Sequence, residues 1–158
     1  MTGGAELLAT AICTDSGGLV DPLLENRLSG LLDFAYRRKR KKPASLDVLL
    51  ADDSEMARLN RLYLGINDTT DVLAFEDGET DAAGRLRLGD MAIGVETARR
   101  VAGERGVPFA DELSFYALHG LLHLLGRVDE EDDDRQAMLR EQLAIMRAYG
   151  LEVSDNLL

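Results

Sequence analysis

Cysteine is almost missing from this chain, with Cys13 the single example. No intrachain disulfide can form, and a thiolate zinc site lacks its partners, so any zinc should be catalytic and not structural. Long apolar runs are missing too. No stretch reaches the roughly 20 apolar residues of a membrane span, and the opening MTGGAELLATAICTD has no basic region leading into an apolar core. The expectation is a cytoplasmic protein with no membrane partner. Excess positive charge is also absent. Lys and Arg number 18 against 29 Asp and Glu, a formal net charge of −11 that repels nucleic acid in bulk. No internal repeat and no linker-like stretch is visible, so residues 1–158 are expected to form one domain.

What is present sits in blocks. Hydrophobic residues at 46% and charged ones at 30% give the balance of a soluble globular protein and exclude a disordered one. The charges are segregated: Arg37, Arg38, Lys39, Arg40, Lys41 and Lys42 form a basic pole, and Asp129 to Asp134 an acidic run. The basic run has two readings. It is either a track for nucleic-acid phosphates, joined by Arg85 and Arg87, or a solvated helix end whose cations complement the C-terminal dipole. The acidic run is read as a solvated helix N-terminus, with contact to a basic partner as the alternative.

Apolar periodicity gives the elements. Strands are expected at Glu6–Cys13, Ser45–Ala51, Asp71–Phe75 and Arg85–Ile93. Helices are expected at Pro22–Arg40, after an N-cap at Asp53 or Ser54, at Glu96–Arg105, from Pro108 onward, and at Glu130–Tyr149 with Gly150 as C-cap. These make an α+β fold, a four-stranded mixed sheet packed against about five helices. The helix after Pro108 leaves almost no polar face, which predicts a central helix buried on all sides.

That helix carries the only two histidines, His119 and His123, in LSFYALHGLLHLLG. Residues four apart share a helix face, so two imidazoles can reach one ion. Gly126 ends the helix, and Asp129 is placed to swing back as a third ligand, leaving the fourth position of a zinc ion to water. The bland alternative is a pair of core histidines bonded to carbonyls. Burial in an apolar helix costs free energy unless their nitrogens are paired, which a metal would do.

The segment HGLLHLLGRVDEEDDDRQAM resembles the YbeY family of bacterial rRNA maturation factors, whose zinc motif is H-G-x-L-H-L-x-G-Y-D-H. Leu59-Asn60, the run Thr70-Asp71-Val72-Leu73-Ala74-Phe75, and Leu88-Gly89-Asp90-Met91 are similar to that family's L-N, T-D-V-L-S-F and L-G-D-I elements, in the same order from about residue 46 onward. The resemblance implies a zincin-like site and a zinc-dependent, single-strand-specific endoribonuclease. It would act in 16S rRNA 3′-end processing and ribosome quality control, with single-stranded rRNA and the small subunit or one of its proteins as partners. One zinc would be held by His119, His123 and Asp129, and the catalytic group would be its bound water. Two departures stand out. Asp129 replaces the family's third histidine, with Arg127-Val128 in place of Tyr-Asp, and Leu64 replaces an arginine proposed to matter for activity. Leucine cannot contact a phosphate, so that role is not carried over.

Two rivals follow. A ribosome-associated RNA-binding factor with weakened catalysis fits Leu64 and Asp129. A metallopeptidase would need the glutamate of H-E-x-x-H as base, and that position is Gly120. Asn60, Thr70 and Asp71 are read as loop and turn residues or cleft lining, and Asp90 as a turn residue or an acceptor for a histidine Nδ1–H.

Overall fold

The computed structural model describes residues 6–14 and 18–158; residues 1–5 of the opening segment lie outside this range. Its elements run β1 (Leu8–Thr14), α1 (Pro22–Arg37), β2 (Ala44–Ala51), α2 (Asp53–Leu64), β3 (Val72–Glu76), β4 (Leu86–Gly94), α3 (Val95–Arg105), α4 (Phe109–Leu124) and α5 (Asp132–Ala148), with a 3-10 turn at Asp155–Leu157. The sheet order is β1-β2-β4-β3. β1 and β4 pair parallel to β2, and β3 pairs antiparallel to β4, which makes the sheet mixed as expected. Among the described residues, no helix is long and apolar enough to cross a membrane.

The period-2 alternation of the strands sorts side chains between two faces. Leu46, Val48 and Leu50 of β2 and Met91 and Ile93 of β4 enter the main core with α1, α3, α4 and α5. Ala51, Leu73 and Ala92 turn the other way, against Met56 and Leu59 of α2. Four helices therefore lie on one face, and only α2 covers the other. α2 leaves a groove of about 550 Å³ beside it, with Leu49, Tyr63, Phe75 and Asp90 in its lining.

Helix ends follow local chemistry. Pro22 opens α1 after Asp21, whose Oδ1 accepts from the Leu24 amide at 2.8 Å. The cap of α2 is Asp52 and not Asp53 or Ser54, because its Oδ1 takes the Glu55 amide at 2.8 Å. α1 stops at Arg37, so Arg38 to Lys42 lie beyond the helix.

α4 is the central element, touching α1, α3, α5, β3 and β4. Gly120 makes that approach possible: a Cβ there would lie 2.0 Å from Met91 Sδ and 3.1 Å from Val72 Cγ2. A glutamate at this position would have to displace the Met91 thioether and crowd Val72, so the metallopeptidase base is replaced here by a residue that suits close packing on the sheet. The expectation of burial on all sides needs correction, since the side chains of His119 and His123 are 21% and 31% exposed. Their side of the helix opens to solvent.

Two carboxyls of α4, Asp111 and Glu112, are buried. Asp111 pairs with Arg27 at 2.7 Å. Glu112 is fully buried, with Arg105 Nη1 3.5 Å from its Oε1, and burial pushes its carboxyl above the ordinary range despite the Arg105 charge. A raised folded-state pKa favours the protonated form, so this contribution is complete below the unfolded pKa and is lost as pH rises through the folded one. Glu112→Gln should accordingly raise the melting temperature more at about pH 8 than at about pH 5. Thermal unfolding at both pH values checks this, and an equal shift at each would show that the carboxyl ionises without cost.

Candidate metal centre

The last turns of α4 and the loop after it bring together three side chains far less exposed than the acidic surface around them. His119 Nε2 and His123 Nε2 are 3.0 Å apart, and Asp129 Oδ2 lies 3.5 Å from each. Helical spacing brings the two rings together edge to face, with centroids 4.6 Å apart and planes at 81°. Gly126, at φ 94°, adopts the left-handed conformation that turns the chain back and delivers Asp129. Among the described residues this is the only such cluster of His, Cys, Asp or Glu with metal-binding spacing.

The far side of each ring decides which nitrogen carries its proton. His119 Nδ1 lies 2.9 Å from Gln142 Oε1, and His123 Nδ1 lies 3.2 Å from the Arg127 carbonyl oxygen. Both partners are acceptors, so each neutral ring is protonated on Nδ1. The two Nε2 lone pairs then face each other and a carboxylate, an arrangement that repels unless a cation sits between them. A tetrahedral ion with bonds of about 2.0–2.1 Å sets its ligand atoms about 3.3 Å apart, close to the three separations seen here. The donor set of two imidazoles and a carboxylate suits zinc and leaves a fourth position open.

Asp90, a candidate partner for a histidine Nδ1–H, does not perform that role. It lies on the groove face of the sheet and pairs with Arg87 at 2.7 Å. Arg87 also binds Asp47 and Asp77, and Arg85 pairs with Asp81, so these two arginines are neutralised by carboxylates and are poor phosphate ligands. Asn60 donates to the Asp68 carbonyl at 2.9 Å and ties down the loop after α2, and Asp71 Oδ1 accepts from the Val72 amide at 2.8 Å, a strand-entry turn. Asp71 also lines a small cavity of about 100 Å³ beside His119, together with Arg105, Tyr116 and Leu157. Burial raises the Tyr116 phenol well above its ordinary range. Leu64 is 56% exposed at the end of α2.

The basic run lies against this centre. Arg40 Nη2 donates to the Leu125 carbonyl at the end of α4 at 3.3 Å, and Lys39 pairs with Glu141 of α5. Glu141 also binds Arg127 at 2.7 Å, the residue whose carbonyl holds His123. Burial opposes the Glu141 charge, yet Lys39 and Arg127 outweigh it and hold the carboxyl below its ordinary range. Arg37 pairs with Asp33 at 2.9 Å, and Arg38 lies 5.8 Å from the Phe34 ring centroid. Arg38, Lys41 and Lys42 are exposed.

Gln142 escaped sequence reasoning. Its signal was a polar residue four positions from both Met138 and Met146, within the inner stripe of α5, where it is fully buried.

Comparison with known proteins gives the family. The family described as Endoribonuclease YbeY matches residues 18–150. A protein named Endoribonuclease YbeY from Pelotomaculum thermopropionicum is 35% identical over 137 residues, covering 81% of this chain and 90% of that one. Its namesake in Staphylococcus aureus is 35% identical over 147 residues, covering 87% and 94%. The solution structure of TM1509 from Thermotoga maritima shares the fold, with a TM-score of 0.56 at 23% identity over 94% of this chain and 97% of that one. The match of sequence over most of its length establishes that the chain belongs to the YbeY endoribonuclease family.

Proposed function

We propose that this protein is a zinc-dependent endoribonuclease that cleaves single-stranded RNA in the cytoplasm during maturation of rRNA at the small ribosomal subunit. The observation that carries the reading is the convergence of His119 Nε2, His123 Nε2 and Asp129 Oδ2. Family membership supports the class of reaction. His119, His123 and Asp129 would hold the zinc, which when bound would supply Lewis-acid polarisation of a phosphoryl oxygen and acidify water.

The chain's own residues supply the rest. Both Nδ1–H groups are held by acceptors, which aims the lone pairs of the Nε2 atoms at one point. The half-exposed edge of α4 lets a phosphodiester approach. Arg38, Lys41 and Lys42, on a loop that Arg40 and Lys39 fasten to the end of α4 and to α5, provide sequence-independent contacts to the RNA backbone.

The test is cleavage of a single-stranded RNA and of its duplex. Cutting of the single strand alone, lost on chelation and regained with zinc, is the expected result. Tight RNA binding with no cleavage under any metal would instead identify a ribosome-associated binding factor, the reading that the apolar Leu64 favours.

A further inference from the structure

A glutamine with no exposed surface is costly unless both ends of its amide are paired. Gln142 has both. Its Nε2 donates to the Phe115 carbonyl at 3.0 Å, and its Oε1 faces His119 Nδ1 at 2.9 Å. The Phe115 carbonyl only accepts, so the amide cannot be turned around without facing one acceptor with another. The oxygen is thereby fixed toward the histidine.

We infer that Gln142 is a positioning residue of the metal centre, locking His119 in the Nδ1–H tautomer with its Nε2 lone pair aimed at His123 and Asp129. This rests on the proposed metal-dependent reading. The two histidines are held unequally. His123 depends on a main-chain carbonyl at 3.2 Å in an exposed loop, whereas His119 depends on a buried amide at 2.9 Å. The neighbouring Glu141 serves a different purpose, joining Lys39 to Arg127. Adjacent residues of α5 thus fasten the ligand set and the cationic loop separately.

Outer partners of metal-bound histidines are worth about 10- to 100-fold in metal affinity. Gln142→Leu should weaken zinc binding by that factor, and nitrogen-15 NMR of the metal-free variant at about pH 8 should show His119 redistributed toward the Nε2–H tautomer. Gln142→Glu retains the acceptor toward His119 and, as the acid, can still donate to the Phe115 carbonyl, so it should keep the Nδ1–H tautomer and most of the affinity. Glu141→Gln should leave the His119 tautomer unchanged.

Zinc affinity of Gln142→Leu within about threefold of the natural chain, with the tautomer unaltered, would overturn the inference. So would a Gln142→Glu variant that loses the tautomer or releases zinc, and this second variant decides the matter if Gln142→Leu does not fold. The metal-free tautomer measurement keeps the two proposals apart: absence of zinc in the natural protein counts against the metal reading, while an unlocked His119 in Gln142→Leu still supports the role of Gln142.

Discussion

Purified without chelator or a histidine tag, the protein should carry close to one zinc per chain, and His119→Ala should carry none. Apparent zinc binding to four-ligand structural sites is worth about 10–16 kcal/mol at neutral pH, or roughly 3 kcal/mol per ligand. Removing one imidazole from a site with only three protein ligands therefore costs on the order of a hundredfold or more in affinity. Ribonuclease activity should fall with it. Asp129→Ala should bind zinc more weakly than the natural chain, and Asp129→His should restore binding, since an imidazole and a carboxylate are both competent zinc ligands. Plasma emission spectroscopy on dialysed protein gives the stoichiometry. Equal zinc in His119→Ala would place the metal elsewhere, and no zinc in the natural chain after incubation with the metal would remove the centre.

Replacing Arg38, Lys41 and Lys42 together by alanine should lower affinity for single-stranded RNA on the order of 100-fold at about 0.1 M salt. Each phosphate neutralised on a single strand contributes about 0.7 to the slope of log affinity against log salt, so three lost contacts should flatten that slope by about 2. These cations are chosen because they can be removed without breaking the fastenings of the loop. Lys39 is tied to Glu141, and Arg40 to the Leu125 carbonyl. Arg58→Ala is the control, since Arg58 pairs with Glu55 on α2, across the sheet from the centre. Fluorescence anisotropy titrations at several salt concentrations read both quantities. An unchanged slope in the triple variant would leave the basic run as a solvated helix end.

The readings that held depended on residues close together in the chain. Helical spacing put His119 and His123 on one face, and Gly126 allowed the chain to return with Asp129, all within 11 residues. The strands were visible for the same reason, since alternation along β2 and β4 follows from the pleat alone. Some local readings shifted, such as the cap of α2 and the end of α1, and the larger misses concerned partners. Asp90 had the right chemistry to orient a histidine, but strand parity places it on the groove face of the sheet, across from α4. Arg85 and Arg87 looked like phosphate ligands until Asp47, Asp77, Asp81 and Asp90 were seen to neutralise them.

The amino-acid sequence by itself determined the closeness of His119, His123 and Asp129, the order of elements and the presence of a cationic run, because each is written in local spacing. Only the tertiary structure decided what stands behind the ligands and beside them. Gln142 reaches His119 from 23 positions away, Arg40 reaches Leu125 across 85, and Glu112 is buried by elements on every side. Contacts of that range depend on how helices pack on a sheet, which is set by the summed burial of many apolar side chains and not by any short pattern of residues.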